Sequence, residues 1–260
     1  MLPGCLQKLQ WVDDLLVIDG GSTDRTIDIA HAKKVRVMHR TFTTFADARN
    51  VGAKECTSEW IFYVDADERV SNELKTEIMK ICSLREEMRS LREDRVQDDK
   101  YQGYQIPRKN ILLGKWHQHG GWYPDYQLRL IRRQALKEWR GDIHESALID
   151  GVVGTLQEPL VHLTHRSIKD GLLKSAEWSG IEASIRFKSG HPPVRKLGVV
   201  RMTVGEFLRR YIFLSGWKDG MEGFLVAMIQ AFNQFLIYAR LWELQRKEIL
   251  EDTYKKYESH

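Results

Sequence analysis

The stretch WIFYVDADERV, residues 60–70, constrains this chain more than any other. Residues rich in β-branched and aromatic side chains predict a buried strand. That strand runs straight into Asp65, Asp67 and Glu68. Crowded carboxylates repel one another, so either cationic groups sit among them or the acids splay into water. A second hydrophobic run, LLVID (15–19), also ends on an acid, Asp19, followed by Gly20 and Gly21. The two glycines allow a tight turn, and a helix start behind them offers free N–H groups to an anion.

Between and around these strand ends the pattern alternates. VRVMHR (35–40) reads as a strand, and STDRTIDIAHAKK (22–34) and FADARNVGAKECTS (45–58) read as helices, with Ser22 or Thr23 as N-cap of the first. Strands alternating with helices at this spacing predict an α/β fold, a doubly wound and mainly parallel sheet. Ligands of open α/β sheets bind beyond the carboxyl ends of the strands, where Asp19 and Asp65/Asp67 lie. Asp65 and Asp67 flank Ala66 and would project to one side if the extended chain continued. Hard oxygen ligands beside a phosphate site suit Mg²⁺ or Mn²⁺. The bland alternatives are a solvated turn for Asp65/Asp67 and a capped strand-to-helix turn for Asp19.

Farther on, NELKTEIMKICSLREEMRSLREDRVQDDK (72–100) predicts a solvated helix with a trailing loop. GYQIPRKN (103–110), YQLRLIRR (126–133) and TLQEPLVHLT (155–164) predict strands, and the last hundred residues are mostly helical in pattern. Residues 1–165 form one expected domain and residues 166–260 a helical extension. The net charge of +4 is too weak to argue for nucleic acid. Three cysteines without a CxxC pair fit a reduced, cytoplasmic setting. The start MLPGCLQKLQWVDD lacks the pattern of a signal peptide. GFLVAMIQAFNQFLIYARLW (223–242) is apolar but interrupted by Gln230, Asn233, Gln234 and Arg240, with basic residues upstream. Basic residues beside an apolar helical face fit peripheral binding at the inner face of a membrane; a helix buried against the domain or in a dimer fits as well.

Taken together, VIDGGSTDRT, FADARNVGA and WIFYVDADERV resemble the nucleotide-sugar half of family 2 glycosyltransferases, inverting enzymes of GT-A fold, which implies a doubly wound mixed α/β sheet with a Rossmann-like nucleotide-sugar half, followed here by a C-terminal helical tail. YQIPRKNILLGKWHQHGGWYPDYQLRLIRR, GDIHES, LVHLTHRS and the C-terminal segment are similar to the lipopolysaccharide inner-core glucosyltransferase subgroup, which adds glucose to a core heptose. The resemblance implies a UDP-sugar donor, UDP-glucose first, a lipid-linked or lipopolysaccharide core saccharide acceptor, and a divalent Mg²⁺ or Mn²⁺ at the DxD motif. It implies that Asp19 faces the uracil and Arg49 the nucleotide or its phosphates. Asp65 would contact ribose or metal, and Asp67 would be the principal metal ligand. His162 would complete the metal shell, although a lone His is more often a core or surface residue.

For the base, Glu145 ranks first, Asp125 second and Asp142 third, and each has an ion-pair alternative. Trp122 and Tyr123 would form a sugar-stacking platform, or else an aromatic turn packed into a core. Family members carry a first hydrophobic strand between the Asp19 strand and the DxD strand. This chain starts in the helix after it, so a truncated domain is expected. A sugar nucleotidyltransferase and an inactive nucleotide-sugar-binding remnant are the competing readings.

Overall fold

The computed structural model describes residues 1–91, 100–141 and 145–258. Asp142, His144 and the end of the 72–100 segment lie outside the described residues. The chain forms two compact units. The first comprises Met1–Asn110 and Pro124–Leu163, the second Ile111–Tyr123 and Thr164–His260.

In the first unit, β1 (Leu16–Asp19) pairs in parallel with β2 (Arg36–His39), and α2 (Thr26–Ala32) connects them. Here the expected βαβ rhythm holds. The expected cap does not: α2 starts after Arg25, with no side-chain cap. Instead the Asp24 carboxylate accepts from Thr26 N–H at 2.9 Å, a local Asx turn that delays the helix. α3 (Phe45–Glu55) is capped by Thr44, whose hydroxyl accepts from Asp47 N–H.

The larger sheet runs β3 (Trp60–Phe62), β7 (Asp125–Arg132), β5 (Tyr101–Leu112), β11 (Leu160–Leu163) and β4 (Glu68–Arg69). β3 with β7, β7 with β5, and β11 with β4 pair antiparallel, whereas β10 (Val152–Thr155) adds to β5 in parallel. A mixed α/β sheet with a helical C-terminal region is therefore borne out, but the mainly parallel sheet is not. Consecutive parallel strands are joined by a crossover, usually a helix; residues 113–124 between β5 and β7 hold only the short strand β6 (Lys115–Trp116), which pairs with β5, and β7 returns antiparallel. A separate antiparallel pair, β8 (Leu136–Arg140) with β9 (Ser146–Ile149), was not predicted.

β1–β2 is a sheet of its own. α1 (Leu2–Gln7) bridges its core to the next. Leu2 and Leu6 pack with Ala30, Val17 and Val37 on the β1–β2 side. Cys5 on the same helix and Leu9 just beyond it join Leu74, Ile78, Ile106, Leu130 and Leu160 in the main core, with α4 (Asn72–Leu91) covering it. Cys5, Cys56 and Cys82 form no disulfide with one another.

In the second unit, α5 (Ile168–Lys188), α6 (Lys196–Leu208) and α7 (Gly220–Gln245) pack together, followed by α8 (Lys247–Glu258). A π-helical turn, Arg209–Phe213, and a 3-10 turn, Gly216–Asp219, join α6 to α7. Buried Asp219 ties this joint to the His117–His119 segment, accepting from His119 N–H at 3.0 Å and pairing with His119 Nδ1 at 2.9 Å. Gly223 is required there, because a Cβ would lie 2.1 Å from the Gly216 carbonyl oxygen. The segment Gly216–Gln245 is long and apolar enough to cross a membrane, and a third of its most apolar window is buried in the unit.

Candidate active site

The site grows from the turn after β3. Extended structure ends at Phe62, and Asp65–Glu68 closes as a turn, with Glu68 N–H donating to the Asp65 carbonyl at 2.9 Å. The condition under which Asp65 and Asp67 would share a side is therefore not met, and they turn to different partners. The reason lies in Glu68, a residue that the sequence pattern does not single out. It is fully buried, and its Oε2 accepts from Asp65 N–H at 2.8 Å, folding the acidic run back on itself.

The cations expected among these acids are three arginines. Buried Arg129 on β7 donates through Nη2 to Asp65 Oδ2 at 2.5 Å and to Glu68 Oε1 at 2.7 Å. Arg49 on α3 donates to Asp65 Oδ1 at 3.1 Å and to Glu145 Oε1 at 3.0 Å. Its guanidinium lies over the Trp139 ring at 4.8 Å and the Tyr63 ring at 5.7 Å. Asn50, the next residue on α3, fixes that geometry. Its side chain donates to the Trp139 carbonyl and accepts from Trp139 N–H, clamping α3 to β8. Arg108 on β5 binds Asp125 Oδ2 at 2.6 Å, and its Nη1 is 3.9 Å from Glu68. Arg108 and Asp125 are direct cross-strand partners.

Burial pushes the Glu68 carboxyl above its usual range. Burial also acts to raise Asp65, but Arg129 and Arg49 outweigh it and hold that carboxyl below its usual range. The same contest, won by Arg108 with Asn110 and Gln127, lowers Asp125.

From Asp125 a second chain of contacts leads to Asp67. An ionised carboxylate only accepts, so the Asn110 amide turns its NH₂ to Asp125 Oδ2, at 3.1 Å. Asn110 Oδ1 is then left to accept from His162 Nδ1–H at 2.7 Å. That contact selects the His162 tautomer and leaves the Nε2 lone pair facing outward. His162 lies opposite Glu68 in the β11–β4 register, which brings Nε2 to 3.4 Å from Asp67 Oδ2. Two electron-pair donors at that separation call for a cation between them, a proton or a metal ion. A carboxylate suits Mn²⁺ or Mg²⁺, whereas an imidazole is more usual on the later first-row ions, so of the two Mn²⁺ fits the pair better, and an imidazole oriented by a second hydrogen bond is the usual design of a metal-ligating histidine. Asp67 and His162 would supply two of the ligands that such an ion needs. Among the described residues no group of three or more His, Cys, Asp or Glu forms a complete cage.

Six of the sequence-predicted residues are therefore joined in one network: Glu145, Arg49, Asp65, Asp125, His162 and Asp67. Asp19 stands apart from it. Its buried carboxylate accepts from Gly21 N–H and Ser22 N–H at 3.1 Å each, and contacts His39 Nδ1 at 2.6 Å. Burial acts to raise its pKa; the bonds from Ser22, His39 and Gly21 outweigh this and lower it to about 2. Trp122 and Tyr123 belong to the second unit. Arg210 lies over the Trp122 ring at 5.3 Å, His165 meets that ring edge-on, and Tyr123 meets Trp116 edge-on at 5.5 Å. An open cleft of about 750 Å³ flanks α3, lined by Arg40, Asn50, Lys54, Arg133 and Lys137 among others; none of the sequence-predicted residues lines it.

Residues 5–140 match glycosyl transferase family 2, and the chain belongs to that family. Over 246 residues it is 24% identical to the lipopolysaccharide core biosynthesis glycosyltransferase LpsC of Rhizobium meliloti, covering 92% of this chain and 86% of that protein. An uncharacterized glycosyltransferase of Rickettsia bellii is 26% identical over 89% of this chain and 78% of its own length. Among solved structures, S. aureus TarS residues 1–349 in complex with UDP-GlcNAc matches 95% of this chain and 88% of its own, at 13% identity and a TM-score of 0.44.

Proposed function

We propose that the chain transfers a sugar, glucose from UDP-glucose first among the candidates, to a saccharide acceptor of the lipopolysaccharide core type, with inversion at the anomeric carbon. The observation that carries this reading is the junction at Arg49, which holds Glu145 and Asp65 on one guanidinium. It keeps the candidate base beside the acidic turn expected to face the donor. Glu145 takes the proton of the acceptor hydroxyl as that oxygen bonds to the anomeric carbon. The bond from that carbon to the diphosphate breaks in the same step, and UDP leaves with the electron pair.

Asp67 and His162 are the residues that would hold a divalent ion. Such an ion, when bound, neutralises charge on the departing diphosphate. Asp65, kept ionised by Arg129 and Arg49, would accept from a ribose hydroxyl. Arg49 has a planar fork of donors suited to phosphate oxygens as well as to carboxylates. Asp19 is assigned to the uracil edge through the same strand-end turn that it organises. The likeness to LpsC, a glycosyltransferase of lipopolysaccharide core biosynthesis, supports the acceptor class.

The test is Glu145→Gln. A lost general base lowers kcat by about 10²- to 10⁴-fold, while UDP-sugar affinity is retained because the amide oxygen still accepts from Arg49. An unchanged kcat with a raised KM would show that Glu145 serves binding rather than proton transfer, and would contradict the assignment.

A further inference from the structure

We infer that the α6 face of the helical unit, with the turn that follows it, is a docking surface for an anionic lipid bilayer, entered from one side and not spanned. The inference rests on the second unit alone and stands apart from the chemistry proposed for the first. α6 has no buried residue. Its apolar side chains recur at helical spacing, and they face solvent: Leu197 is 79% exposed, Val200 57%, Val204 49% and Leu208 41%. At the end of the π-helical turn Phe213 is 78% exposed, and beyond it Trp217 is 53% exposed. A continuous apolar stripe with bulky aromatics at one end is not what a monomeric surface in water ordinarily presents.

What selects a bilayer over another apolar partner is the charge around the stripe. From Arg195 to Lys218 the sequence carries Arg195, Lys196, Arg201, Arg209, Arg210 and Lys218, against Glu206 alone. That one acid is neutralised within the segment, its carboxylate accepting from Arg209 at 2.8 Å and Arg210 at 2.6 Å. On α6 itself, Lys196 and Arg201 fall on either side of the apolar stripe by helical phase. Apolar side chains flanked by basic ones fit acyl chains below anionic headgroups.

A span by α7 is the competing membrane reading, since Gly216–Gln245 is apolar enough. Three features of α7 argue against it. Eight of its residues, among them Val226, Ala231 and Leu241, are buried within the unit. Asn233 and Gln234 stand at mid-helix with their side-chain oxygens buried in the unit, so this polar stretch is packed against protein. Arg240 approaches Gly180 of α5 so closely that a Cβ there would lie 2.4 Å from its guanidinium. α7 thus packs one side into the bundle, whereas α6 buries no residue at all.

The experiment is vesicle flotation of the full chain, with phosphatidylcholine vesicles with or without phosphatidylglycerol. The expected result is flotation with phosphatidylglycerol only, reversed by high salt. The variant Leu197→Ser/Val204→Ser/Phe213→Ser alters exposed positions only, so its circular dichroism should match the parent. Its partitioning should fall at least about tenfold. Equal binding by the variant would overturn the proposal. So would resistance to both salt and alkaline carbonate, the mark of a span. So would a chain that ignores vesicles but forms a dimer, by light scattering, that the variant dissociates. UDP binding measured on the same samples reports on the first unit, so failure of the docking surface and failure of the glycosyltransferase reading are read separately.

Discussion

Arg129→Leu is the substitution that most directly tests how the acidic turn is held. Arg129 is buried, and one of its nitrogens lies 2.5 Å from Asp65 and 2.7 Å from Glu68. At an effective dielectric of about 20, each contact corresponds to roughly 6 kcal/mol of attraction. Taking Arg129 and Glu68 out of water costs several kcal/mol per ion, while the Asp65 side chain keeps 43% of its exposure and its contact is weakened by solvent screening, so the intact trio comes close to breaking even. Removing the arginine alone does not, because it leaves Glu68 fully buried with the Asp65 N–H at 2.8 Å and Arg108 at 3.9 Å. The expected cost is about 3–5 kcal/mol, at least about a fifth of the stability of an ordinary domain. In urea unfolding followed by circular dichroism, the midpoint should fall by more than about 1 M.

The loss has a pH signature. Burial already raises the Glu68 carboxyl, and without Arg129 it rises farther. A folded-state pKa above the unfolded value means that the native state binds the proton more tightly. The destabilisation should therefore grow as pH rises from the usual carboxylate range through the raised value, and shrink on acidification. Arg129→Leu/Glu68→Leu removes the orphaned acid as well and should recover part of the loss. A single variant that loses less than about 1 kcal/mol, or a double variant no more stable than the single, would refute this reasoning.

Two further expectations follow from the hydrogen-bond geometry. For Asp19, whose pKa is lowered to about 2, the contribution to stability is present above the unfolded value and lost as pH falls through the folded one; the stability gap between wild type and Asp19→Asn should be full at neutral pH and close on acidification toward that value, and a pH-independent gap would contradict it. Asn110→Leu removes the acceptor that orients His162, and Mn²⁺ affinity measured by calorimetry with UDP present should weaken by about 10- to 100-fold; unchanged affinity would mean that the tautomer is set elsewhere.

Much of the site was legible because it is local. Asp65, Asp67 and Asp19 sit at the ends of short hydrophobic runs, and a strand followed by an acid is visible in one dimension. Arg49 came only through the family resemblance, because its place on a helix marks no more than a surface arginine. Glu68, Arg108, Asn110 and Arg129 were not singled out, because their roles depend on cross-strand register. Asp125 meets Arg108 only because β7 runs antiparallel to β5, with a register shift farther along at Tyr104/Gln105. The same blindness produced the mainly parallel sheet: strand direction is set by connections and long-range pairing, while periodicity reports only burial. The direction of Asp67 stayed open because it depends on whether the chain remains extended, and a buried Glu68 forces a turn there.

The most direct test of the central claim is calorimetric titration of UDP-glucose into the folded chain, with Mn²⁺ and then with EDTA, beside the Asp67→Ala variant. Binding that requires the metal and disappears in Asp67→Ala, with circular dichroism unchanged, is the result expected of a metal-dependent nucleotide-sugar site at the acidic turn. Binding that persists in EDTA or in the variant would place the donor elsewhere and contradict the account.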